Sequence, residues 1–146
     1  MRVPYKPLPV KSIPGFDGLN THWTPVLTVS IISGHQTSKR FEAIVDSGSP
    51  WCLFHAQIGE AIGMKIKKGQ IGSLGGVISQ AGGDVWFHQI KVTLLGSIIQ
   101  TTAGFSYDLS VGAILGRQGF FDNCTVTFDP SQSTWGELDI ERFYRV

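Results

Sequence analysis

Cysteine is scarce in this chain of 146 residues: only Cys52 and Cys124 occur. Each sits inside an apolar run, so both read as reduced, buried thiols packing as small hydrophobes and not as the framework of a disulfide-stapled domain. That usage points to a reducing, cytoplasmic setting. Paired metal-ligand spacing is missing as well. His22, His35, His55 and His88 stand far apart in the sequence, which predicts no metal centre and no cofactor. Charge of one sign is lacking too, with 12 Lys and Arg against 11 Asp and Glu and a formal net charge of +1. Without a basic stripe or an acidic block, nucleic acid and anionic membrane surfaces drop out as expected partners. No apolar run approaches the ~20 residues of a membrane span. The opening MRVPYKPLPVKSIPGFDG places prolines where a secretory signal needs an apolar core.

What the chain does hold is 42% hydrophobic residues, enough for a core without staples. Residues 1–146 therefore read as a single domain, with residues 1–22 as an extended N-terminal arm. WTPVLTVSIIS (23–33) alternates and is rich in β-branched residues, GHQTSK reads as a turn, and RFEAIV (40–45) returns as the second arm of a hairpin. HAQIGEAIGM spaces Ile58 and Ile62 four apart, which suits a short helix stopped at Gly63. The glycine-rich GQIGSLGGVISQAGG (69–83) suits a mobile hairpin better than a rigid core strand. VWFHQIKVTLLG and IIQTTAGFS form another alternating pair about a turn at Leu95, Gly96 and Ser97. VGAILGRQGFFDN runs from an apolar strand through Gly116 toward one or two helical turns. CTVTFD, a turn at Asp129, Pro130 and Ser131, and WGELDI close the chain. No segment sustains helical periodicity beyond about three turns. The expected fold is mainly β, closed or nearly closed, with one or two short helices.

The stretch FEAIVDSGSPWCLF sets Asp46 where a strand ends and follows it with a hydroxyl residue and a glycine. A carboxylate there can be held by the backbone amides of a tight turn and point out of the sheet, in position for acid–base work. An Asx-turn without chemistry is the competing reading, since Asp, Ser and Gly are all ordinary turn formers. Two further motifs weigh against the second. AIVDSGS resembles the hydrophobic-hydrophobic-Asp-Thr/Ser-Gly signature of aspartic peptidases, and AILGR resembles their second, hydrophobic-Gly element, in the same order and at the same separation. Between them, GQIGSLGGVIS resembles the glycine-rich flap of the retropepsin-like branch, which includes retroviral proteases. ILGRQGFFDNCTVTFD is similar to the ending of the bacterial members of that branch. The resemblance spans roughly residues 24–130.

The resemblance implies a closed, barrel-like acid-protease half, a homodimer, and a polypeptide substrate. It makes Asp46 the catalytic aspartate, one from each subunit, and Gly48 the residue whose backbone lets the two loops approach closely. Ser47 is implied to hydrogen-bond across the dimer. Leu115 and Gly116 are implied to support the catalytic loop from behind. Ser49 follows the Asp-Ser-Gly, and its hydroxyl is placed to donate to the Asp46 carboxylate, which predicts an acidic pH optimum. Ser73, Leu74, Gly75, Gly76 and Val77 are implied as the flap and substrate-binding segment, with residues 80–84 as the alternative tip. Arg117, which in many retroviral members meets an aspartate just beyond the catalytic loop, finds no acid in PWCLF, and Asp122 or a partner-chain carboxylate takes that place instead. The expected activity is hydrolysis of peptide bonds by a water activated between two Asp46 carboxylates. A protease-fold module that dimerises or binds peptides without cutting is the alternative. A serine triad lacks support, because no nucleophile-elbow pattern surrounds Ser47 or Ser49.

Overall fold

The computed structural model describes every residue of the chain except 10–13, 16–20, 74–82, 133–134 and 143–146. Its elements in chain order are β1 (Arg2–Pro4), β2 (Lys6–Pro9), β3 (Thr21–Thr24), β4 (Val26–Ser33), β5 (Gln36–Thr37), β6 (Phe41–Val45) and β7 (Leu53–His55). There follow helix α1 (Ala56–Glu60), a single 3₁₀ turn (Ile66–Lys68), β8 (Gln70–Ser73), β9 (Asp84–Leu94), β10 (Ser97–Ser106), β11 (Ala113–Leu115), β12 (Cys124–Gln132) and β13 (Trp135–Arg142). The protein is mainly β, with short helical pieces. Its residues group into two compact units, Leu27–Asn123 and the terminal segments Met1–Val26 with Cys124–Val146.

In the Leu27–Asn123 unit, hydrogen-bonded neighbours run β5-β4-β6-β11-β7-β10-β9-β8, and β4 also pairs with β9. That extra pairing, Val29 opposite Leu94 through Ile32 opposite Lys91, closes β4, β6, β11, β7, β10 and β9 into a six-stranded ring. Closure gives each of the six strands a partner on both sides, which removes the exposed backbone an open sheet would leave at its edges. Short β11 is the unusual member, running parallel to β6 and antiparallel to β7.

Register assigns the faces. Ala113 opposes Phe54 while Ile114 opposes Leu53, so alternation places Ala113, Leu115 and Phe54 on one face and Ile114 and Leu53 on the other. Phe54, Phe105 and Leu115 are almost fully buried, and the Phe54 and Phe105 rings lie 5.6 Å apart. The opposite face carries a second cluster of Leu53, Val85, Leu109 and Ile114, against which partly buried Trp51, Phe87 and Val111 pack. Two apolar layers thus grip β7 and β11 from both sides, which explains why AIL and LF are uninterrupted apolar runs instead of alternating ones.

The helix forms where Ile58 and Ile62 predict one, but a different face is buried. Ala56 and Gly59 are its buried residues, because a Cβ on Gly59 would lie only 2.7 Å from Ile66 Cδ1 and 3.1 Å from the Phe105 ring. The sequence expectation of helical turns after Gly116 is not met. Residues 117–123 form turns, in which the Asp122 carboxylate accepts the Gly119 N–H at 2.9 Å and the Asn123 side-chain amide at 2.7 Å. Local side-chain acceptors compete with a helical ladder in this way.

The terminal unit contains a three-stranded sheet of order β1-β13-β12 and a β2-β3 pair. The Met1 ammonium donates to Ile140 O at 2.7 Å and pairs with Asp139 at 3.3 Å. The turn expected at Asp129, Pro130 and Ser131 is absent, since β12 continues through it with a register irregularity between Asp129 and Gln132. Pro130 has no N–H to give a ladder, and an edge strand with a bulge tolerates that lack. Among the described residues no helix is long and apolar enough to cross a membrane.

Candidate active site

Asp46 leaves the end of β6 with its backbone N–H donated to Leu115 O at 3.0 Å, so the strand pairing of Val45 with Leu115 continues one residue into the loop. The chain then reverses. Ser49 N–H returns to Asp46 O at 3.2 Å, and Gly48 N–H donates to Asp46 Oδ1 at 2.8 Å. The carboxylate is therefore held by its own turn, as an Asx-turn holds one, with Asp46 half-buried and Ser47 and Gly48 exposed. Chemical use and turn formation are the same geometry here.

A second segment laces onto this loop from behind. Arg117 N–H donates to Ser49 O at 2.9 Å and Gln118 N–H to Pro50 O at 3.0 Å, and Trp51 forms a parallel bridge with Gln118. Gly116 lies at the crossing. A Cβ there would sit 2.1 Å from Trp51 O and 2.7 Å from Ser49 O, so only a residue without a side chain lets the two backbones meet at this distance. Cys52 adds a third tie, its thiol donating to Gln118 O at 3.4 Å. Burial pushes that thiol up to about 11, while a backbone hydrogen bond from Gly116 pulls the other way and Asp122 pushes further up. It stays protonated and serves packing, since the thiolate is the reactive form. Neither cysteine is part of a disulfide, and both are buried.

Asp46, Ser47, Gly48, Ser49, Leu115 and Gly116 thus come together in space. The role expected of the Ser49 hydroxyl is corrected. Ser49 is fully buried and its Oγ donates to Trp51 O at 2.7 Å; a hydroxyl has one proton to give, so the Asp46 carboxylate receives the Gly48 N–H and not the serine. The acidic optimum argued from that serine loses its basis. Ser49→Ala is accordingly expected to leave both limbs of any pH–activity profile in place while lowering stability by about 1–3 kcal/mol, the range for removing one partner of a buried hydrogen bond. Urea melts alongside pH profiles of wild type and variant measure both quantities. A displaced limb would restore the serine–carboxylate contact.

Arg117 is likewise not paired with Asp122, whose carboxylate is taken by Gly119 and Asn123. Among the described residues no carboxylate pairs with it. Of the expected flap segment, Ser73 ends β8 opposite Asp84, while Leu74, Gly75, Gly76 and Val77 lie outside the described residues. The alternative tip is divided, with 80–82 outside them and Gly83 packed so that a Cβ would meet the Asp108 carboxylate at 2.6 Å. Among the described residues no group of three or more His, Cys, Asp or Glu side chains is placed to hold a metal.

The sequence alone assigns no site role to Trp51, Phe87 or Val111. These three are the partly buried members of the cluster beside the Asp46 loop, with the Trp51 and Phe87 rings 5.2 Å apart and edge to face. No local pattern marks them, because they converge from segments far apart in the chain.

No protein-family model matches the chain, and no curated protein matches it in sequence. Among solved structures it is similar to the retroviral protease-like domain of Ddi1 from Leishmania major, at 19% identity and a TM-score of 0.43, over 63% of this chain and 72% of that one. It is similar also to the EIAV protease complexed with the inhibitor HBY-793, at 19% identity and a TM-score of 0.40, over 64% of this chain and 82% of that one. At these scores neither alignment assigns a role to any residue here.

Proposed function

We propose that this chain is an aspartic endopeptidase whose working unit is a homodimer. The carrying observation is the Asp46 turn: a carboxylate fixed by the Gly48 N–H at 2.8 Å, on a loop whose backbone is braced by Leu115, Arg117 and Gln118. A preorganised carboxylate with exposed neighbours suits a general acid–base role. One carboxylate alone does not activate a water and protonate a leaving amine together. A second Asp46 from a twofold-related chain supplies the missing group, because two carboxylates at short range share one proton, so that one acts as base and the other as acid. Water attacks the peptide carbonyl, and no acyl-enzyme forms. Ser47 and Gly48, both exposed, are the residues free to meet the partner loop in that arrangement.

The partly buried Trp51, Phe87 and Val111 pack on the Leu53, Val85, Leu109 and Ile114 cluster and give an apolar surface suited to side chains of an extended peptide. Ser73 and Asp84, paired across β8 and β9, belong to the segments 73–77 and 80–84, one or the other of which serves as the flap over the substrate in this reading. The second reading, a module that binds peptide without cutting it, shares every one of these features except turnover.

Cleavage of an unfolded protein, with and without pepstatin, separates the two. Specific activity should fall on dilution as dimers dissociate, since monomers hold half a site. Sedimentation of a fully active monomer would overturn the dimeric mechanism. Saturable peptide binding with no cleavage at any enzyme concentration would establish the binding module instead.

A further inference from the structure

We propose that the pocket beside Arg40, on the outer face of β4, β9 and the β9–β10 turn, binds the carboxylate of a ligand with a short branched apolar body. Its volume is about 430 Å³, within the range of small-molecule sites. Arg40, Thr28, Ser30, Thr93, Leu95 and Ile98 are among its lining residues, and none belongs to the Asp46 loop. Register builds the floor. Ser30 opposes Thr93 across β4 and β9, and Thr93 opposes Ile98 across β9 and β10, so the three share one face. The Ser30 and Thr93 hydroxyls are hydrogen-bonded to each other, and Thr28 stands two residues before Ser30 on the same face. Hydroxyls here form a polar but uncharged base.

Arg40 supplies the only full charge of the lining. It is exposed, and among the described residues no carboxylate pairs with it. A guanidinium presents its donors as a planar fork that matches a carboxylate in two parallel hydrogen bonds. One positive charge balances a monoanion and leaves a dianionic phosphate half neutralised. The wall opposite is apolar: Ile98 is 62% exposed, and Leu95 adopts a left-handed φ of 48°, beside Gly96 at 74°. A two-residue turn joining Leu94 to Ser97 calls for positive φ at both central positions, which Asn, Asp or Gly accept with little strain. A leucine there costs about 1–2 kcal/mol, and it sets an isobutyl group in the pocket lining. Charge at one side and two branched aliphatics at the other select an aliphatic carboxylic acid, free or as the C-terminus of a polypeptide.

The test is calorimetry and amide NMR titration of the intact chain with 4-methylpentanoate, its primary amide, acetyl-Gly-Gly-Leu with a free carboxylate, the same peptide amidated, and inorganic phosphate. The acids should saturate and shift the Leu95, Gly96 and Ser97 amides. The amides should bind at least about tenfold more weakly, as loss of a charge-assisted pair requires. Arg40→Gln should weaken the acids by a similar factor, and Arg40→Lys should recover part of it, keeping charge without the fork. A tighter peptide acid identifies a polypeptide terminus as the ligand, and equal affinity identifies the free acid; both support the site. Asp46→Asn should bind identically, so failure here is separable from failure of the peptidase reading. Equal binding of acid and amide, phosphate binding as tight as the acids, no effect of Arg40→Gln, or no saturation by about 10 mM ligand would each overturn the proposal.

Discussion

Asp46→Asn is expected to reduce kcat/KM for peptide hydrolysis by about a hundredfold to ten-thousandfold, the range for losing a positioned general acid or base, with the upper end favoured because the proposed dimer would lose both carboxylates together. The substitution preserves shape, and the asparagine Oδ1 still accepts the Gly48 N–H that Asp46 accepts at 2.8 Å. What disappears is the group that can carry a proton. The turn should therefore survive, with unchanged circular dichroism and a urea midpoint close to wild type. Affinity for a non-cleaved peptide should persist, since Trp51, Phe87 and Val111, the proposed peptide-facing surface, are untouched. Rates, melts and peptide affinity measured on one preparation separate chemistry from folding. Cleavage by the purified variant at the wild-type rate would remove Asp46 from the mechanism.

The second large effect is structural. Gly116→Ala should destabilise the protein by about 3 kcal/mol or more, beyond the usual range for a single added methyl group in a packed region. Its Cβ would enter within 2.1 Å of Trp51 O, 2.5 Å of Trp51 C and 2.7 Å of Ser49 O. All three are backbone atoms, so no rotamer change relieves the clash. The segments must separate, and the bonds from Arg117 to Ser49 and from Gln118 to Pro50 would be lost with the contact. Activity should fall with stability, because the same bonds brace the Asp46 turn. Gly112→Ala is the internal control: a Cβ there meets nothing within 4 Å, and its urea midpoint should hardly move. Equal midpoints for the two variants would show that the loops are not locked at Gly116.

The Asp46 turn was legible because its cause is local. Asp, a hydroxyl residue and Gly after an apolar strand form a hydrogen-bonded reversal from their own side-chain and backbone groups, whatever packs around them. The Ser49 bond was not legible. Asp46 and Trp51 both offer acceptors at short sequence distance, and which one the hydroxyl meets depends on burial of Ser49 beneath the 116–118 segment. The helical reading of residues 117–123 failed for a related reason. Residue spacing makes Asp122 a candidate ion-pair partner for Arg117, whereas its carboxylate serves the Gly119 N–H, a competition that spacing does not rank.

Strand content, the hairpin of β9 and β10, and the reversal at Asp46 all follow from near neighbours in sequence, since alternation, β-branching and turn chemistry act over a few residues. Closure of the ring by β4 on β9, insertion of β11 between β6 and β7, and convergence of Trp51, Phe87 and Val111 required the whole chain. Each joins residues tens of positions apart, where loop-closure entropy and shared burial, and not local preference, select the pairing.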